Sequence, residues 1–252
     1  MMQEQKEFNK KETIGEIVVR DYQKAVVFKK RGIDYSCEGL KTVKEACEQL
    51  GLSEVEIEEE LKNTPTPTGT QPMDFQNWES GFLCKYLIQL HHQYVKTQTG
   101  FIQELGQKVA RANITKYPEI DEIVEVFVKA GTLLEQNSTK QERAFFPYII
   151  SLSDAHKNGS HIKAADFGKL SAPILLMETE HKAVSQCFYE IKKLTNGYTL
   201  PAYPSNAHSI FFKMLGEYED DLHFHLHLEN NILFPKVLQL EADMRFKNRI
   251  VE

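Results

Sequence analysis

A chain of 252 residues, 41% hydrophobic and 26% charged, is long enough to bury a core without disulfide or metal staples and too apolar to be disordered. Its 30 basic and 36 acidic residues leave a formal net charge of -6, so no positive field exists for a phosphate backbone and nucleic acid is not an expected partner. No apolar run approaches the roughly 20 residues of a membrane helix and the first residues lack a signal-peptide core, so the expectation is a cytoplasmic protein with no membrane partner.

The N-terminal part reads as three or four short helices. Ala25, Val26, Val27 and Phe28 lie in a segment from Tyr22 to Arg31, with Gly32 where a left-handed cap is needed. Thr42 with Glu45, and Ser53 with Glu56, match the capping box and predict two further helix starts. The stretch Asn63 to Pro72, rich in Pro, Thr and Gly, has the composition of an exposed linker. These signals predict an N-terminal helical domain over 12–62, a linker over 63–73 and a large domain over 74–249. Four long stretches with helical period fill the large domain: about 74–113, 118–153, 171–196 and 205–249, the last bent or broken at Pro235. With no strand-length alternation in competition, the predicted fold is all-α, ending in an antiparallel four-helix bundle.

Four cysteines, Cys37, Cys47, Cys84 and Cys187, include no Cys-x-x-Cys pair and argue against a disulfide framework or a thiolate zinc site. The nine histidines are the feature to explain. On the fourth helix Phe211, Leu215, Tyr218, Leu222, Ile232 and Leu233 define an apolar stripe, and steps of three and four along it land on His225 and Glu229. An imidazole and a carboxylate one turn apart on a buried face suit a metal ion. His223 and His227 fall on another face and read as solvated. On the third helix His181 lies within the stripe of Ile174, Met177, Val184, Phe188 and Ile191. The first helix is undecided: His91 aligns with Cys84, Leu87 and Tyr94, His92 with Ile88, Val95 and Ile102, and a regular helix cannot bury both fully. The second helix carries two amides, Asn137 and Gln141, on its apolar face at the spacing of His225 and Glu229.

The run His225-x-x-x-Glu229-Asn-Asn-Ile-Leu-Phe-Pro235, preceded by inward histidines, resembles the hemerythrin-like domain of the di-iron repair-of-iron-centres proteins. The segment from Val26 to Gly39, followed by Thr42-Val-Lys-Glu-Ala-Cys47, is similar to the small ScdA-type domain that precedes that bundle. The resemblance implies a stress protein that restores iron–sulfur clusters, with non-haem iron in the bundle, iron–sulfur proteins as clients and a homodimer as a family option. It places the metal ligands at His92, His181, His225 and Glu229. The shared Phe-Pro ending aligns the family's second-helix His and bridging Glu with Asn137 and Gln141, so both are replaced by neutral amides. The remaining donors suit one iron rather than two, with His181, His225 and Glu229 as a 2-His-1-carboxylate set and His92 as a fourth donor. Glu142 stands one residue off the inward stripe, and its participation would require a helix irregularity. The family's adjacent cysteines are also missing, since the loop reads Ser36-Cys37-Glu38-Gly39. With no nucleophile motif and no phosphate-cradling loop, an enzyme is not expected; any activity would be redox or ligand exchange at the metal. The rival expectation is a metal-free interaction module in which Asn137 and Gln141 hydrogen-bond His92 and His181.

Overall fold

The computed structural model describes residues 11–65, 73–113 and 115–251; most of the expected linker lies outside them. Two compact units are formed, one up to Trp78 together with Leu226–Ile232, the other from Glu79 to His225 together with the chain from Leu233 onward.

In the first unit, α1 (Ile14–Arg20) starts at a capping box between Thr13 and Glu16, a signal of the kind used at Thr42 but not among the expected helices. A 3-10 turn (Tyr22–Lys24) leads into α2 (Ala25–Lys30), and Gly32 follows it at φ 71°, the left-handed conformation expected there. Thr42 and Ser53 cap α3 (Val43–Leu50) and α4 (Glu54–Asn63) as the sequence predicts. Ile14, Ile17, Phe28, Val43, Ile57 and Leu61 are among the residues of its core. The side chain of Asn231 is seated in this unit between Gly15 and Gly39. Gly15 N donates to Gly39 O at 2.8 Å, and Asn231 Nδ2 donates to Tyr35 O at 2.9 Å. A Cβ on Gly15 would lie 2.8 Å from Asn231 Oδ1, and one on Gly39 would lie closer still, so glycine is required here by close approach.

Four helical rods follow, which make up the second unit apart from Leu226–Ile232 of the fourth. The first joins α5 (Ser80–Leu87) to α6 (Gln93–Asn113), and the second joins α7 (Glu119–Lys140) to α8 (Phe146–Asn158). The third is α9 (Ser171–Leu194), and the fourth joins α10 (Asn206–His227) to α11 (Phe234–Phe246). Neighbours run antiparallel, because contacting residues count in opposite directions: Phe127 meets Phe188 where Asn137 meets Glu180, and Thr99 meets Tyr218 where His92 meets His225. Gly131 and Gly106 let the rods approach closely, the first against Thr99 and the second against Phe211 and Val124. The all-α expectation holds, with one addition: Ile162–Lys163 pairs in parallel with Ile250–Val251. No helix of the described residues is long and apolar enough to cross a membrane.

Each interrupted rod changes pitch through a π-helical segment: Ile88–His92 in the first, Gln141–Phe145 in the second, Leu228–Leu233 in the fourth. Two of these run directly into a proline in the first turn of the next helix, Pro147 in α8 and Pro235 in α11. Proline offers no N–H and its ring crowds the carbonyl four residues back, so a wider turn upstream lets the helix continue. The fourth rod is therefore re-phased before Pro235 and not broken at it.

Candidate metal centre

Each of the three π segments contains a residue singled out for chemistry: His92, Gln141 and Glu229. In the fourth rod His225 lies in the last turn of α10 and Glu229 stands in the π segment; both are buried, at 2% and 0% exposure. In the first rod the wider turn resolves the ambiguity that a regular helix leaves, since His91 and His92 are both buried. His92, His225 and Glu229 each offer a ligand atom, and these atoms all lie within 4.8 Å of one another. Bonds of about 2.1 Å place ligands across one ion roughly 4 Å apart, so the three donors are gathered at the scale of a single site. Two imidazoles and a carboxylate are also the donor types of non-haem iron(II).

His181 is buried as well, and its ring stacks on Phe234 at 6.0 Å and 11°. It is outside the three-donor group, so the structure gathers His92, not His181, with the fourth-rod pair. His92 stacks in the same manner on Phe146, at 5.6 Å and 12°. Phe146 and Phe234 are the residues before the two prolines, so the Phe-Pro signal of the sequence marks ring platforms for two histidines.

Asn137 and Gln141 are buried in the second rod. Asn137 Nδ2 donates to Glu180 Oε2 at 2.7 Å, and Lys140 pairs with the other oxygen of that carboxylate. Burial pushes the Glu180 carboxyl up, but the bonds from Lys140 and Asn137 outweigh it and hold the pKa below its ordinary value. Gln141 Nε2 approaches Met177 Sδ at 3.8 Å. Asn137 is thus engaged by Glu180, in place of the histidine contact of the interaction-module reading. Neither amide adds negative charge to the site.

Glu142 is the group that the sequence stripe set aside. The irregularity it needed is present as the π segment, and His92 Nδ1 lies 2.9 Å from Glu142 Oε1. Lys96 Nζ donates to both oxygens of that carboxylate at 2.8 Å. Burial raises the Glu142 pKa, but the bonds from Lys96 and His92 prevail and hold it below the ordinary value, so it is an anion at neutral pH. A parallel pair sits one residue earlier: His91 Nδ1 lies 2.8 Å from Asp221 Oδ1, and the His91 ring stacks on that of His225 at 5.4 Å and 16°. The sequence signal for both partners is an acidic residue beside an inward stripe, too common to single them out.

His227 is not solvated. It is 2% exposed and packed against Tyr22 and Tyr35, with ring centroids 5.8 and 5.9 Å away. Asn231 Nδ2 donates to its Nδ1 at 2.9 Å, and burial pushes its pKa down to about 3, which keeps it neutral. In the loop before Gly39, Asp34 Oδ1 accepts from the backbone amides of Ser36 and Cys37, both at 2.9 Å. Asn230 Nδ2 donates to Ser36 O at 2.9 Å and lies 3.8 Å from Cys37 Sγ. Cys37 is the one cysteine of the chain that is not buried.

The chain is similar to known proteins along both units. A family model described as the hemerythrin HHE cation binding domain matches residues 86–237, and a ScdA_N model, a domain of unknown function, matches residues 10–64. The chain is 28% identical over 233 residues to the iron-sulfur cluster repair protein YtfE of Pectobacterium atrosepticum, covering 91% of this chain and 98% of that protein. It is 27% identical over 237 residues to the protein of the same name from Musicola paradisiaca, covering 92% and 99%. A probable iron-sulfur cluster repair protein of Haemophilus influenzae is 29% identical over 215 residues, 84% of this chain and 90% of that one.

Proposed function

The chain belongs to the hemerythrin HHE cation-binding family, in the type that carries a ScdA domain ahead of the bundle, and from this premise we propose a protein of iron–sulfur cluster repair whose bundle holds one non-haem iron. The proposed ligands are His92, His225 and Glu229, with His181 as the further donor from the third rod. The proposed division is a ScdA-like domain over 12–62, a linker over 63–73 and the bundle over 74–249, with iron–sulfur proteins as clients.

The observation that supports this reading is the gathering of two imidazoles and one carboxylate, all buried, within 4.8 Å. A buried carboxylate without a cation is costly, and a divalent ion offsets that cost. A bound ferrous ion would supply redox and ligand-exchange chemistry at positions the protein leaves unfilled. The chain's own residues hold the donors on stacked rings, exclude water through the Phe146 and Phe234 platforms, and fix the outer edges of two histidines through Glu142 and Asp221. One ion, not two, follows from the second rod. Two neighbouring dications need bridging anions, and Asn137 and Gln141 are neutral.

Metal content after anaerobic ferrous loading tests the reading. About one iron per chain is expected, and the Asn137→His, Gln141→Glu double variant is expected to take up a second. Two irons in the wild type would overturn the single-ion assignment, and none would favour the metal-free interaction module.

A further inference from the structure

Gln141, at the position where the family resemblance expects a bridging Glu, contributes no charge. The next residue is a carboxylate, and in a regular α-helix it would point about 100° away from that face. Here residues 141–145 form a π turn, and Glu142 reaches across to the first rod, with its Oε1 2.9 Å from His92 Nδ1. Its own position is fixed by Lys96, whose ammonium donates to both carboxylate oxygens at 2.8 Å. His92 is fully buried and its ring face is held by Phe146, so one edge of the imidazole is committed to an anion while the ring plane is fixed.

We propose that Glu142 is a positioning residue of the metal centre: it holds His92 as the Nδ1–H tautomer, leaving Nε2 as the metal-binding nitrogen. This rests on the reading of His92 as a ligand. A carboxylate only accepts, so the nitrogen it touches carries the proton, and the other nitrogen keeps its lone pair. The negative charge that Gln141 does not supply is thereby returned to the site behind an imidazole, one hydrogen bond beyond His92.

The test uses the full chain and two readouts. Long-range nitrogen–proton spectra of 15N-histidine-labelled, metal-free protein report the His92 tautomer, with His92→Ala supplying the assignment. Cobalt(II) titration, followed by its visible bands, reports affinity. The wild type is expected to show the Nδ1–H form. Glu142→Leu is expected to shift His92 toward the Nε2–H form and to weaken cobalt binding about ten- to a hundredfold. Glu142→Gln, which keeps an acceptor but not the charge, is expected to fall between them. An unchanged tautomer and an unchanged affinity in a folded Glu142→Leu variant would overturn the role of Glu142 while leaving the metal site standing. A wild type that shows the Nδ1–H form yet binds no cobalt would instead overturn the reading of His92 as a ligand, and the positioning role with it. Should Glu142→Leu not fold, Glu142→Gln carries both readouts, and a wild-type tautomer and affinity in that variant overturn the proposal.

Discussion

His208 lies on α10 beside Tyr117 and Phe212, with ring centroids 5.4 and 4.5 Å away; it is 2% exposed and neither ring nitrogen has a hydrogen-bond partner among the described residues. Burial lowers its pKa, against a weaker opposing pull from Glu119. The unfolded chain therefore binds this proton more readily, so stability falls as the pH drops below the ordinary histidine value, by at most about 1.4 kcal/mol per unit. Urea unfolding at pH 7 and pH 5 is expected to show a smaller acid loss in His208→Phe than in the wild type. An equal loss in both would show that His208 contributes nothing to it. For the candidate centre, sequence reasoning at this scale reached His225 and Glu229 because both lie on one apolar stripe. It misplaced His227 because a polar face on a helix wheel reads as solvent, whereas this one meets Tyr22 and Tyr35. No local pattern encodes a neighbour 200 residues away.

Among the elements, helix starts were legible where a side chain caps a backbone, at Thr42 and Ser53, and stops where the chain turns left-handed, at Gly32 and the Asn196-Gly197 pair, the pair at φ 47° and 68°. The π segments were not, because stripe counting assumes one pitch; the trace they left was the failure to choose between His91 and His92. The glycines before α3 carry a more specific message. Gly39 and Gly15 exist as glycines because Asn231 occupies the space of a side chain. Gly39→Ala is expected to destabilise the protein by about 1–3 kcal/mol through overpacking. The same change in an Asn231→Ala background is expected to cost less, a coupling that a double-mutant cycle in urea measures directly. Equal costs in both backgrounds would mean that the crowding lies elsewhere.

Considered as a whole molecule, the protein joins an ordinary hydrophobic core to a polar interior at one level of the bundle. Buried His91, His92, Asn137, Gln141, His181, His225 and Glu229 weaken the bundle unless their charges and dipoles are matched. A ligand that binds only the folded chain adds stability by mass action, about 2.7 kcal/mol at a hundredfold excess over Kd. Ferrous ion or cobalt(II) at that excess is expected to raise Tm by roughly 5–10 °C. A chelator should reverse the rise, and Glu229→Ala should lose it; a wild type with no shift at saturating metal would count against a buried centre. The π turns bear on how such a protein varies. In an ordinary helix a site is specified by which residues occupy its positions. Here, where the pitch changes at His92, Gln141 and Glu229 alike, the number of residues between positions is part of the specification. Losing one residue from a rod would disarm the proposed centre with every donor still present in the chain.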